Sequence, residues 1–291
     1  MKAVSIFFLS CFLILSSSCT EDANNEPENT SEANLIIQLK FNPTQERLGN
    51  TGQPVAVATG NAAQSPTISK MSANYIEFAP NGLTALGAGE IIFSGDETTS
   101  GGEKAINFQN AEFAGNNETF ITLPISEINA GDYEWVRVSL AYQEGNIDFL
   151  AENGNEYTGT LASFVGYNNY ITSFNLNGNE IAVNENKLQG FWAFETLGFT
   201  TQGQAPEGAT TVPNPLFDSS PIPQGSCVVT GEFENGFTIS GDETEDVIVT
   251  LSFSTNNSFE WTEVNIDGKY EPSAGEQVVD MGLRGLIPMV D

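Results

Sequence analysis

The chain has 291 residues, of which 38 are Asp or Glu and only nine are Lys or Arg, so its formal net charge is −29. A field of that sign repels nucleic acid and anionic lipid, and we expect neither as a partner. The sequence contains no histidine and three cysteines. This composition excludes Ser-His-Asp and Cys-His catalysis and removes the commonest ligand of transition metals, so we expect no transition-metal cofactor. The composition does not exclude carboxylate-based catalysis or metal sites with oxygen ligands.

The first 18 residues have the three parts of a secretory signal peptide. Lys2 supplies a positive start, residues 3–15 form an almost unbroken apolar run, and three serines at 16–18 precede Cys19. The apolar run is too short to span a bilayer, which takes about 20 residues. The sequence therefore predicts export, with a signal peptide over 1–18.

The cysteine at the cleavage position resembles a lipobox, in which cleavage leaves a lipidated cysteine as the first residue. The usual lipobox has Leu three positions before the cysteine, whereas this chain has Ser16 there and Leu15 one position earlier. The alternative is an ordinary signal peptide beside an unmodified cysteine. We predict that Cys19 is lipidated and that its acyl chains anchor the protein to a membrane without spanning it.

An acidic tether is predicted after the anchor, over 19–33. Residues 20–33 carry five acids and no Lys, Arg or aromatic residue, so they have little apolar surface to bury. Fully extended, they reach at most roughly 50 Å. Glu21 and Asp22, directly after the cysteine, resemble the signal that sends Bacteroidota-type lipoproteins to the cell surface. We expect an outer-membrane protein at the cell surface, the alternative being the periplasmic face.

From residue 34 onward the pattern is typical of β-strands. Short runs rich in β-branched and aromatic residues end at Gly, Pro or Asn, and the longest covers 133–142. Asn177-Gly178 between two apolar runs predicts a hairpin, and 125–128 is at most a short helix. About 12 short strands predict an all-β, antiparallel sandwich of the immunoglobulin or prealbumin-like kind, with two packed β units as the alternative.

Five prolines between 206 and 223 predict an irregular connection over 206–224, because proline has no N–H to donate to a strand ladder. We place a main β-sandwich domain at 34–205 and a C-terminal β unit at 225–291. The alternative is a long loop over a single domain. Cys227 stands among strand-forming residues, which favours a buried apolar cysteine.

The one motif with metal chemistry lies near the C-terminus. Oxygen-bearing residues alternate from Glu263 to Asp267 and are followed by Gly268, which resembles the first half of a calcium loop, where six to eight oxygens surround the ion. The twelfth position is Ala274, where a bidentate Glu belongs. The alternative is a plain hairpin turning at Asp267-Gly268. The predicted calcium ligands are Glu263, Asn265, Asp267, Lys269 (through its carbonyl), Glu271 and Glu276.

Four stretches, at 71–80, 135–143, 186–196 and 254–288, resemble a group of Bacteroidota-type surface lipoproteins. The resemblance implies a location and assigns no activity. A more distant similarity is to the methanobactin-associated, copper-linked periplasmic family.

Anchor, tether and β pattern together predict a non-catalytic binding or adhesion module. Its expected partners are the membrane, through the lipid anchor, and a polysaccharide or an outer-membrane protein. The alternative is a carboxylate-dependent glycan hydrolase. Aromatic side chains could form a sugar-stacking platform, although their strand spacing is more typical of a core.

Overall fold

The computed structural model describes residues 33–49, 51–205, 220–223, 225–281 and 283–291. The predicted signal peptide, Cys19, nearly all of the predicted tether and most of the predicted connection lie outside the described residues. All described residues belong to one compact unit.

The described residues form strands and three short 3₁₀ helices, and the helices lie at Phe108–Asn110, Ile125–Glu127 and Pro272–Ala274. None of the helices in the described residues is long and apolar enough to cross a membrane. The strands, in chain order, are β1 (Asn34–Asn42), β2 (Asn61–Gln64), β3 (Thr67–Ala79), β4 (Glu90–Ser94), β5 (Glu97–Thr98), β6 (Ala105–Asn107), β7 (Glu118–Pro124), β8 (Gly131–Leu150), β9 (Glu156–Phe164), β10 (Asn168–Leu176), β11 (Asn179–Leu188), β12 (Phe191–Thr196), β13 (Phe199–Gln204), β14 (Cys227–Ile239), β15 (Val247–Ser254), β16 (Phe259–Thr262), β17 (Gln277–Asp280) and β18 (Arg284–Val290).

The strands build four sheets. The largest has the order β13-β12-β9-β8-β3-β4, with β14 also paired to β8; the others are β18-β15-β1-β7, β11-β10-β6-β5 and β17-β16-β2. Most pairs are antiparallel, and the parallel ones are β1 with β15 and β10 with β6. The prediction of an all-β fold is confirmed.

The sheets do not follow the chain division predicted at 206–224. Strand β1, from the start of the described chain, pairs over its length with β15, and β14 pairs with the first half of β8. The three-stranded sheet likewise joins β2 to β16, so segments 34–205 and 225–291 both contribute strands to three of the four sheets. Their apolar faces meet in the main core, whereas a second buried cluster around Phe164 and Phe174 belongs to 34–205 alone.

The main core lies between the four-stranded sheet containing β1 and the large sheet. Strand β1 alternates buried and half-buried residues, and Leu35, Ile37 and Leu39 are almost completely buried. They pack in one cluster with residues of the large sheet such as Phe78 and Val138. Each fully buried side chain of this kind stabilises the fold by about 1.5–3 kcal/mol. This layered packing is the sandwich-like part of the fold.

Three local predictions can be compared directly with the structure. Asn177 and Gly178 both have positive φ and connect β10 to β11 in a two-residue turn, which confirms the predicted hairpin. A short 3₁₀ helix spans Ile125–Glu127, where at most a short helix was expected. Cys227 is buried, as its surroundings predicted.

Candidate functional site: an aromatic cavity

A cavity of about 560 Å³ lies between the three-stranded sheet and the part of the large sheet that ends at β13. This volume is within the roughly 300–1,000 Å³ typical of small-molecule sites. The large sheet supplies one wall through β8, β9, β12 and β13. The loop before β17, and β17 itself, supply most of the other. The apolar and aromatic lining residues are Ile147, Phe149, Leu161, Trp192, Phe194, Ala205, Phe259, Tyr270, Pro272, Val278, Val279 and Met281.

Strand alternation in β12 presents aromatic side chains to both faces of the large sheet. Phe191 and Ala193 point into a core shared with Phe164 and Phe174. Trp192 and Phe194 point the opposite way, into the cavity, because successive side chains of a strand face opposite sides.

Two strand glycines make room for these aromatic rings. Gly203 is paired with Trp192 across β12 and β13, and a Cβ added there would lie 2.6 Å from Cζ2 of the indole. A Cβ added at Gly159 in β9 would lie 2.1 Å from Cζ of Phe194. Glycine within a strand often marks such a close approach. Any larger residue at these positions would force the rings to move, so both glycines let the rings lie close against the neighbouring strands.

The opposite wall is an aromatic cluster behind the predicted calcium loop. The Tyr270 ring centroid lies 5.1 Å from that of Phe259 and 5.5 Å from that of Trp261. Burial raises the pKa of Tyr270, and the nearby Glu276 carboxylate raises it further. The phenol is therefore neutral at physiological pH.

The polar part of the lining is small. None of the lining residues that the structure describes is Lys or Arg, and Asp280 is their one acid. Gln204 already donates a side-chain hydrogen bond of 2.7 Å to the Gln189 carbonyl. The polar lining residues are Thr196, Thr201, Gln204, Gln277 and Asp280.

The predicted calcium loop forms part of the cavity wall, through Tyr270 and Pro272. Its carboxylates accept hydrogen bonds from the loop's own amides. Glu263 Oε1 accepts from the Asp267 amide at 3.1 Å and from the Gly268 amide, and Asp267 Oδ1 accepts from the Lys269 amide at 2.9 Å. The loop conformation is thus fixed by bonds that need no ion.

Glu276 is the structural centre of this loop. It is only 5% exposed, and its Oε1 accepts from the Val264 amide at 3.0 Å while Oε2 accepts from the Glu271 amide at 2.6 Å. It also lies 3.4 Å from the Asn265 amide nitrogen. The Glu276 carboxylate therefore ties the beginning of the loop to its end.

The other predicted ligands have separate partners. Glu271 Oε2 accepts from the Asn265 side-chain amide, and Lys269 Nζ lies 2.5 Å from Glu156 Oε1, which holds the pKa of Lys269 above its usual value. Throughout the described part of the chain, no group of three or more His, Cys, Asp or Glu is arranged to hold a metal ion.

Buried carboxylates elsewhere are engaged inside the fold. Glu77, fully buried, accepts from the Gly89 amide at 2.6 Å and lies 3.8 Å from Arg137 on the paired strand. Glu260 pairs with Arg47, and both side chains are buried. These groups hold loops to strands, and neither lines the cavity.

A second cleft of about 410 Å³ lies beside β3 and β10 and is more polar. Its cation, Lys70, is 3.1 Å from Glu144 and 5.7 Å from the centre of the Phe113 ring. Because that ion pair already satisfies the lysine, the aromatic cavity is the stronger candidate site.

Sequence reasoning found the loop and missed the cavity. The pattern from Leu188 to Glu195 predicts a strand, but it does not by itself separate the two faces of that strand. Two signals were available in the sequence: aromatic residues at both odd and even positions of one strand (Phe191, Trp192 and Phe194), and glycines inside the neighbouring strands. Together they indicate a strand that is covered on both faces. Comparison of the chain with known protein families, curated proteins and solved structures finds no match.

Proposed function

We propose that the chain is a lipid-anchored, non-catalytic binding module of the outer membrane, and that the aromatic cavity is its ligand site. The observation that carries the proposal is a concave, mostly apolar cavity with a few polar groups, the usual character of a small-molecule site. Gly159 and Gly203 support it, since they allow the Phe194 and Trp192 rings to take the positions from which they line the cavity.

Binding is favoured over hydrolysis by the acids around the cavity. Glycoside hydrolysis ordinarily uses two carboxyl groups about 5–10 Å apart, on either side of the scissile bond. Asp280 is the one acid among the described lining residues. The buried carboxylates nearby, such as Glu276, are occupied by backbone amides.

The anchor rests on the N-terminal pattern. A signal peptide, Cys19 and an acidic tether support display at the cell surface, where a polysaccharide or an outer-membrane protein is the expected class of partner. The cavity is sized for a small ligand, or for one segment of a larger one.

The ligand site is tested with a pair of matched variants. Thr201 is exposed, lies on the edge strand β13 and lines the cavity, whereas its neighbour Thr200 is exposed on the opposite face. Thr201→Trp should fill the cavity, and Thr200→Trp should not. We expect native mass spectrometry of the anchored protein, isolated from its membrane in mild detergent, to show a bound small molecule in the wild type and in Thr200→Trp.

Thr201→Trp should show no bound small molecule, and its melting temperature should equal that of Thr200→Trp. Equal bound mass in the two variants, or none in the wild type, would count against the cavity as the ligand site.

The anchor is tested separately, by metabolic labelling with radioactive palmitate. Label should enter the wild type and be lost in Cys19→Ala, and label that persists in Cys19→Ala would contradict lipidation at this residue.

A further inference from the structure

We infer that the ligand of the cavity is an uncharged molecule with a long apolar chain, such as a fatty alcohol or the acyl chain of a neutral lipid. This inference rests on the proposed ligand site and adds the chemical class that its lining selects. Three features of the described residues support it: hydrogen-bonding capacity, charge, and exposed apolar side chains on the segments that line the cavity.

Hydrogen-bonding capacity argues against a sugar inside the cavity. A saccharide carries about one hydroxyl per carbon, and each hydroxyl that is desolvated without a partner costs roughly tenfold in affinity. The cavity offers five polar lining residues, and the Gln204 side-chain amide already donates to Gln189. An apolar chain has no such requirement and gains by leaving water.

Charge argues against an anionic amphiphile such as a fatty acid. The described lining contains no Lys or Arg to pair with a carboxylate or a phosphate, and it contains Asp280. The chain as a whole carries a formal charge of −29. Burying an unpaired anion here would combine a desolvation cost with repulsion. Tyr270, which lines the cavity, has its pKa raised by burial and by Glu276, so it contributes no charge either.

Exposed apolar side chains lie on two segments that also line the cavity. Phe199, 76% exposed, is paired with Thr196 in the β12–β13 hairpin and shares the cavity face of that hairpin. Ile266 is 94% exposed and lies four residues before Tyr270, in the loop that contributes Tyr270 and Pro272 to the opposite wall. Apolar surface at these two segments fits a ligand longer than the cavity, or one delivered from a lipid surface.

Photolabelling of the intact, lipid-anchored protein in mild detergent tests the ligand class. The probe is hexadecanol carrying a diazirine, and labelled peptides are located by mass spectrometry. We expect label on the peptides that contain Trp192–Phe194 and Val278–Met281. Unlabelled hexadecanol should compete with the probe and reduce this labelling. Hexadecanoate should be at least about tenfold less effective as a competitor, and a neutral oligosaccharide should have no effect.

Labelling should fall at least about tenfold in Thr201→Trp and stay unchanged in Thr200→Trp. Gly203→Ala, whose Cβ would clash with the Trp192 ring and displace it, is a second test with a smaller change of structure and should also reduce labelling. Displacement by the oligosaccharide, or by hexadecanoate as well as by hexadecanol, would overturn the ligand class and leave the cavity standing as a site. Label scattered over the surface and equal in the two tryptophan variants would overturn the inference, whereas the bound mass seen by native mass spectrometry tests the proposed site independently.

Discussion

Glu276→Gln removes the charge at the centre of the loop that walls the cavity. The buried carboxylate accepts from the Val264 amide at 3.0 Å and from the Glu271 amide at 2.6 Å, through different oxygens. Glutamine can replace one of these acceptors, but its NH₂ group must then face an N–H donor. One charge-assisted hydrogen bond is lost, at about 1.5–3 kcal/mol, and a part-buried amide is left unpaired. We expect a loss of about 2–4 kcal/mol in the free energy of unfolding.

Urea denaturation followed by tryptophan fluorescence measures this loss, as a lower midpoint with an unchanged slope. Asp267→Asn is the matched control, because Asp267 is exposed and an Asn oxygen can still accept from the Lys269 amide. The free energy of unfolding of that control should stay within about 0.5 kcal/mol of the wild-type value. If Glu276→Gln also stays within this range, the carboxylate does not hold the loop and the reasoning is refuted.

Two further predictions concern acid stability and calcium. Burial alone would raise the pKa of Glu260, but hydrogen bonds from Asn61, the Ala58 amide and Arg47 outweigh it and hold the pKa below its ordinary value of 4.5. Because the folded pKa is lower than the unfolded one, the stabilisation is complete above about pH 4.5 and is lost as pH falls through the folded pKa. Glu260→Gln should therefore be less stable than the wild type at neutral pH, with a difference that narrows in urea titrations below about pH 4.5; a constant difference would contradict this. For calcium, the loop carboxylates already accept from backbone amides, so calorimetric titration should give no saturable heat, and saturable heat that disappears in Asp267→Asn would restore the calcium loop.

The parts of the fold that were predictable are those encoded in adjacent residues. The turn at Asn177-Gly178 requires two positive φ angles, and both residues adopt them readily. In strand β1, the alternate positions Leu35, Ile37 and Leu39 are apolar, so the buried face is visible in the sequence itself. Such signals give element type and exposed face without reference to the rest of the chain.

Pairing between distant segments could not be predicted in the same way. Leu35 is paired with Val247 in a parallel ladder, and neither local sequence specifies the other. The chain division at 206–224 followed the prolines, although the strands beyond them return to sheets begun earlier. Cross-sheet packing of apolar faces decides such pairings, and many partners satisfy it equally well at the level of sequence.

The candidate site shows the same limit. The spacing of oxygen-bearing side chains over 263–276 predicts a calcium loop, but spacing does not reveal which donors those oxygens accept from. Glu276 accepts from amides at both ends of the loop, a role visible only when the loop is closed. The cavity needs Trp192 and Val278 to meet, and these residues are far apart in the chain.

The direct test of the cavity as a ligand site is a crystal structure of the protein with bromododecanol, an uncharged chain that carries an anomalous scatterer. We predict a bromine peak between Phe194 and Val279 that is absent in Thr201→Trp crystals and present in Thr200→Trp crystals. A bromine peak outside the cavity, or a cavity closed by its own side chains in the wild type, would contradict the assignment.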